Sequence, residues 1–343
     1  MSATTTNVDE RVAQTPLATT LLRRPELGAA TAALAVFLFF SVYTDQFFNE
    51  AGSWLGFSSR FGIMAVAVAL LMIGGEFDLS TGVMTGTTGL IVGVATTHYG
   101  VNVWLAVLIS LVAALAIGAA NGIVVMRTGL PSFIVTLGTY FVLQGFNLAL
   151  VKAIIGQVSV QGMIDVPYYD SIRPIFGGEI DVGGSSFDVS VLWWIGVTVV
   201  ATWVLLRTRA GNWIFSVGGA QQSARQVGVP VFKTKVGLFM TTAAAGWLVG
   251  MILLFGSDSV TSQVGVGDEF IFIICAVVGG CLLTGGYGSA VGAALGALIY
   301  GMAFQGINFA NWDSDWLQTF LGAMLLAAVL LNNWVRKRAE VAR

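Results

Sequence analysis

The sequence predicts an all-α polytopic membrane protein of about ten transmembrane helices, with both termini in the cytoplasm. Three observations carry this expectation. Hydrophobic residues make up 56% of the 343-residue chain and charged residues only 10%, against roughly 25% charged in a soluble domain. With mean hydropathy at +0.83, too few charges exist to cover a water-facing surface, and lipid is the natural solvent. Apolar runs recur from about residue 27 to residue 334, each near the ~20 residues that let a helix cross a bilayer core with its backbone groups paired internally. The charges between these runs sort by sign. The work of such a protein concerns passage across a bilayer.

Residues 1–26 are polar and rich in Thr and Ala, with no apolar core. They read as a cytoplasmic tail and not as a signal peptide. A single transmembrane domain follows over 27–335. Its predicted segments are 27–44, 57–74, 79–97, 101–126, 131–151, 187–207, 235–255, 267–284, 289–309 and 314–334. Several are short or Gly-rich, a composition that suits bent, broken or re-entrant helices. Residues 336–343 form a basic tail.

Charge tests this threading independently of hydropathy. Ten crossings place Arg11, Arg23, Arg24, Arg127, Arg207, Arg209, Arg225, Lys233, Lys235, Arg336, Lys337, Arg338 and Arg343 on one side, and only Arg60, Lys152 and Arg173 on the other. Lys and Arg stay cytoplasmic in short loops, so the first side is the cytoplasm. An odd number of spans would put the 336–338 cluster outside. Trp104, Trp193, Trp194, Trp312, Trp316 and Trp334 fall near segment ends, where an indole is apolar on its face and wet at its N–H.

Two loops are long. Residues 152–186 lie outside and end within "GGEIDVGGSSFDV" (177–189), whose alternating apolar and turn residues permit a small hairpin. Residues 208–234 lie inside and are basic. The net charge of −2 leaves no basic stripe for phosphates and excludes nucleic acid as a partner. Cys275 and Cys281 sit six apart in one apolar run and His98 is the only histidine, so neither a disulfide nor a metal site is implied.

Glycines recur every four residues at 82 and 86, at 89 and 93, at 118 and 122, and at 288, 292 and 296. That spacing is about one turn and opens a smooth groove where another helix backbone approaches closely. A bundle joined in this way could also rock between two states. Polar residues stand out against the apolar background. Glu76 and Asp78 lie at the junction of two spans, where a carboxylate at membrane depth costs about 2.5–3.5 kcal/mol on insertion scales and needs a partner. Asp78 precedes Ser80 and Thr81 and is placed to cap the following helix; substrate contact or proton relay is the functional alternative. Asn121, Gln144, Asn147, Gln305 and Asn308 offer donors and acceptors without net charge, which suits either a hydroxylated solute or interhelical bonds. Phe141 and Phe304 could stack on a sugar ring or simply pack.

The stretch "SVGGAQQSARQVGVPVFKTK" over 216–235 is the most specific local signal. Gly218 and Gly219 release the chain from the preceding segment, and Ala220 to Val227 form two helical turns. Gly228 suits a left-handed C-terminal position, and Pro230 forbids continuation. The coupling segment therefore spans about 218–230, on the positive side. It is either an interfacial helix held by anionic lipid or a knob for a cytoplasmic motor.

Together with "GGEFDLSTG" and "VVGGCLLTGGYGSAVGAALGALIYG", this stretch resembles the signature regions of ABC-transporter permeases of the ribose/xylose/arabinose type. Those permeases belong to a superfamily shared with branched-chain amino-acid permeases. Asp78, Leu79 and Ser80 match the first signature, with Phe77 in place of Ile and Glu76 where a small residue is common. Gly218, Gly219, Ala224, Arg225 and Gly228 match the coupling signature; Ala220 replaces Asn and Gln222 replaces Glu. The resemblance implies a multi-pass prokaryotic plasma-membrane permease pairing with a second copy or a paralogue. It further implies a cytoplasmic ABC ATPase dimer, which carries ATP and Mg, and an extracytoplasmic sugar-binding protein. The implied cargo is a monosaccharide or polyol, with another small solute such as a branched-chain amino acid or nucleoside as alternative. The chain has no Gly-x-x-x-x-Gly-Lys-Ser/Thr phosphate loop, so it needs no cofactor of its own and is no ATPase. An ion-coupled secondary transporter and a membrane enzyme are the competing readings; the latter lacks a convergent catalytic set.

Overall fold

The computed structural model describes residues 25–313, 315–320, 322, 323, 326 and 330. Most of the predicted N-terminal tail, most of the 314–334 segment and the basic tail at 336–343 lie outside the described residues.

Helix α1 (Pro25–Tyr43) and the short α2 (Asp45–Asn49) lead into α3 (Ala51–Ile73), α4 (Thr81–Thr97), α5 (Val103–Thr128) and α6 (Ser132–Ile155). Strand β1 (Ser159–Val160), a 3₁₀ turn and α7 (Tyr169–Phe176) precede the hairpin of β2 (Glu179–Val182) and β3 (Ser185–Asp188). Then come α8 (Ser190–Arg207), α9 (Arg209–Gly219), α10 (Gln221–Gln226), α11 (Val231–Ser257), β4 (Val260–Thr261), α12 (Asp268–Val278) and α13 (Ala290–Phe309). Among the described residues, seven helices are long and apolar enough to cross a membrane: α1, α3, α5, α6, α8, α11 and α13.

These helices are apolar nearly all round, so burial sorts them by position in the bundle and not by amphipathic face. Helices α3, α11 and α13 are mostly buried and, with α4, form the centre; Met64, Leu71, Phe239, Met251 and Phe255 are fully enclosed there. Helices α1, α5, α6 and α8 form an outer ring whose outward residues, such as Leu108, Val112, Val142, Val199 and Val200, are exposed and apolar. In water such a surface would aggregate; in a bilayer it faces hydrocarbon.

One predicted span needs correction. The 267–284 segment holds only the 11-residue α12. It stops because Gly279 and Gly280 follow, the latter in the left-handed region at φ 95°, and because the turn lies against α13. A methyl group on Gly279 would sit on the carbonyl of Gly292, and one on Gly296 would sit on the carbonyl of Cys275. Glycine spacing on α13 therefore does receive another helix. So does that on α5, where Gly118 and Gly122 admit Phe239, Met240 and Val236 of α11. On α4 the occupant differs. Gly82 and Gly86 face the backbone of Gly265 and Val264, and Gly89 and Gly93 face Val260 and Val160. The α4 groove is filled by the β1–β4 pair, the turns that follow β4 and, at Gly82, the first turn of α12 at Glu269.

The loop after α6 contains the expected hairpin: Glu179 pairs with Asp188 and Val182 with Ser185. Gly183 and Gly184 both have positive φ, as a two-residue primed turn requires. A second antiparallel pair, β1 with β4, had no signal in the sequence. Of the indole N–H groups at helix ends, Trp104 donates to Ser171 Oγ at 3.1 Å and Trp193 to the Ile175 carbonyl at 2.8 Å, whereas the buried Trp194 Nε1 has no partner among the described residues.

Candidate functional site

The three signature stretches, more than 40 residues apart in sequence, meet in one place through backbone alone. Gly74 and Gly75 end α3, Gly218 and Gly219 are the last residues of α9, and Gly285 and Gly286 lie between α12 and α13. The Gly286 N–H donates to the Ile73 carbonyl at 2.8 Å. A methyl group on Gly75 would lie 3.2 Å from Gly218 Cα, one on Gly285 would lie 2.8 Å from Gly75 Cα, and one on Gly286 would lie 2.7 Å from Gly219 Cα. Gly75, Gly285 and Gly286 also have φ of 80°, 79° and 74°, a region that only glycine occupies at little cost. Such interlocking backbones hold three segments at a spacing that side chains would forbid.

Gly218 and Gly219 therefore do not release the chain, as sequence reasoning expects. They complete α9, which is capped at its start by Thr208 Oγ1 accepting from the Gly211 N–H at 3.3 Å. The release comes at Ala220. Helix α10 begins one residue later and ends one residue earlier than the predicted 220–227, and Gly228 adopts φ 86° as anticipated. Ala224 points inward and packs with Val217 and Val231. Gln222, Arg225 and Val227 are exposed, so α10 presents a polar outer face with one apolar tip.

Polar groups brace the loop between α3 and α4 from two sides. Toward α6, the Phe77 N–H donates to Ser132 Oγ at 3.1 Å and the Leu79 N–H to Thr136 Oγ1 at 3.0 Å. These acceptors are four residues apart and so share one face of α6. Toward α11, Thr242 Oγ1 donates to Asp78 Oδ2 at 3.2 Å, while Lys235 Nζ is bonded to Glu76 Oε1. Asp78 Oδ1 accepts from the Ser80 N–H at 2.9 Å and from Ser80 Oγ at 2.6 Å. The chain of bonds continues outward: Asn121 Nδ2 donates to Ser80 Oγ at 3.0 Å, and Thr139 Oγ1 donates to Asn121 Oδ1 at 2.6 Å. Asp78 thus holds the turn that starts α4, and one hydrogen-bonded chain joins α4, α5, α6 and α11.

The other polar candidates fall in two groups that the structure does not bring together. On α6, Phe141 is exposed, Gln144 half-buried and Asn147 buried, with Asn147 Nδ2 lacking a partner among the described residues. On α13, Phe304 stacks on Phe57 with centroids 4.3 Å apart, Gln305 Nε2 donates to Ser53 Oγ at 3.2 Å, and Asn308 is exposed. Helix α13 packs on α1, α2, α3, α8 and α12, whereas α6 packs on α4 and α5. Asn121 has both amide atoms engaged within the bundle. Sequence reasoning missed Gln221, Thr242, Ser132 and Thr136, and counted Lys235 only as a loop charge. The available signal was Glu76 itself, since a carboxylate at a span junction demands a counter-charge.

Comparison with known proteins gives an independent view. Residues 50–329 match the family described as branched-chain amino acid transport system / permease component. The chain is 30% identical over 278 residues to the fructose import permease protein FrcC of Rhizobium meliloti, covering 81% of this chain and 76% of that one. It is 29% identical over 311 residues to the ribose import permease protein RbsC of Escherichia coli, covering 90% and 94%. It is 28% identical over 332 residues to the xylose/arabinose import permease protein XylH of Sulfolobus acidocaldarius, covering 92% and 87%. No solved structure matches the chain significantly.

Proposed function

The chain belongs to the branched-chain amino acid transport system / permease component family, a multi-pass protein of the inner membrane, and we propose that it is the membrane subunit of an ATP-driven importer of a monosaccharide or related polyol. The named solutes of its relatives, fructose, ribose, xylose and arabinose, support the cargo class. The observation that carries the mechanism is the glycine junction. It seats the end of α9, two residues before α10 begins, against the end of α3 and the α12–α13 turn, so that displacement of α10 is delivered through α9 to the core of the bundle. With both termini cytoplasmic and about ten crossings, the exposed face of α10 meets a separate ATPase dimer. A second copy or a paralogue completes the pathway, and an external binding protein delivers the solute. Helix α6 lines the pathway in this reading, because Asn147 on it keeps an unused donor in a largely apolar span. Phe304, Gln305 and Asn308 would contribute on the outer half of α13.

Uptake into vesicles holding the permease, its ATPase and its receptor should require ATP and stop with vanadate. Uptake driven by an ion gradient without ATP would instead make the protein a secondary carrier. The family's description favours a branched-chain amino acid as the second cargo reading; competition of labelled ribose or fructose uptake by excess leucine separates the two.

Gly228→Val tests the coupling role. A β-branched residue at φ 86° costs about 1–2 kcal/mol, enough to shift α10 while leaving the bundle intact. Uptake should fall about tenfold with membrane levels maintained on immunoblots. Wild-type uptake by this variant would remove α10 from the coupling path.

A further inference from the structure

The buried charge pair at the α3–α4 loop lies outside the glycine junction, and it ties that loop to two further elements, α10 and α11. Lys235 lies in the second turn of α11 and its side chain is 5% exposed; that of Glu76 is 12% exposed. Besides its bond to Glu76, Lys235 Nζ donates to Gln221 Oε1 at 2.7 Å. Gln221 is the first residue of α10. One ammonium therefore joins the start of α10, the base of α11 and the loop that leads into α4. Two turns further along, Thr242 donates to Asp78. Lys235 and Thr242 are seven residues apart, two helical turns, so they lie on one face of α11. That face grips both carboxylates of the 74–82 stretch.

A buried ion pair is a poor way to gain stability, because desolvation offsets most of the attraction, and an apolar pair of similar volume would often serve as well. Its attested use is to specify register between elements. We propose that Glu76 and Lys235 are positioning residues that fix the register of α10 and transmit its movement to α4. The Lys235–Gln221 bond reports the position of α10, and the Lys235–Glu76 bond passes it to the loop. Asp78, two residues on, carries it into the turn that begins α4 and, through Ser80 and Asn121, to α5 and α6. This inference rests on the ATP-driven importer reading.

The test uses the assembled complex of permease, ATPase and receptor in proteoliposomes, and reads solute imported per ATP hydrolysed beside permease yield. Glu76→Gln and Lys235→Met should each lower that ratio about tenfold, the change expected when a charge-assisted bond is lost from one state, with hydrolysis continuing. Lys235→Arg should retain it, and the reversed pair Glu76→Lys with Lys235→Glu should recover most of what either single reversal loses. A wild-type ratio in Glu76→Gln and Lys235→Met would overturn the proposal. So would loss of yield in every variant including Lys235→Arg, which would assign the pair to folding alone. If the wild-type complex itself showed no ATP-dependent uptake, the importer reading would fail first, and the two failures are thereby distinct.

Discussion

Gly218→Ala is expected to abolish uptake and to destabilise the purified protein, although it adds a single methyl group. That methyl would land on the carbonyl oxygen of Ile73 and lie 2.8 Å from the Gly286 nitrogen. These two atoms are bonded to each other at 2.8 Å, so the methyl enters an occupied hydrogen bond. Both neighbours are backbone, and no side chain can rotate away. Overpacking of this kind costs about 1–3 kcal/mol, and the lost bond adds about 1 kcal/mol. Gly219→Ala is the control, because the nearest atom to its methyl is Gly286 Cα at 3.9 Å, ordinary contact. Thermal unfolding in detergent and vesicle uptake on the two variants provide the measurement. Equal behaviour of the pair would show that close approach at Gly218 does not matter.

Asp78→Ala should have an effect of similar size but a different character. The carboxylate is 2% exposed and accepts three hydrogen bonds, two from Ser80 and one from Thr242. Removing it strands the two Ser80 donors at about 1–3 kcal/mol each, while the Thr242 hydroxyl keeps the Phe239 carbonyl at 2.8 Å. The start of α4 should loosen, and the yield of membrane-inserted protein should fall about tenfold or more, while the relative preference among sugars stays as it was. Asp78→Asn retains one acceptor and should fall between. Fluorescence-detected gel filtration measures the yield, and competition uptake measures preference. A changed preference at normal yield would make Asp78 a solute contact and not a brace.

Hydropathy located α1, α3, α5, α6, α8, α11 and α13 because each is a run of apolar residues of bilayer length, and length is what a sliding count detects. It overextended α12 because the apolar run continues through Gly279, Gly280 and Cys281, and a count of apolar residues is blind to backbone conformation. Glycine spacing on α4 announced a groove but not its occupant; both a helix and the short strand and turns at Val260 to Gly265 fit a smooth surface. At the candidate site, what was legible was local. Ser80 lies two residues from Asp78, within reach of any capping argument, and Gly228 before Pro230 marked the end of α10. Thr242 is 164 residues from Asp78, and Lys235 is 159 from Glu76. Pairings across such separations depend on how α11 is threaded past the loop, which no short-range pattern encodes.

The shortness of α12 bears on how the chain is made. Eleven helical residues reach about 16 Å, roughly half of a ~30 Å hydrocarbon layer. During synthesis this stretch would not hold in the membrane by itself. It would leave the translocon together with α13, as a closed helical pair whose Gly279–Gly292 contact forms before lipid surrounds it. Enlarging either glycine should then stall biogenesis and send the nascent protein to quality-control proteolysis, long before any defect in transport could be read.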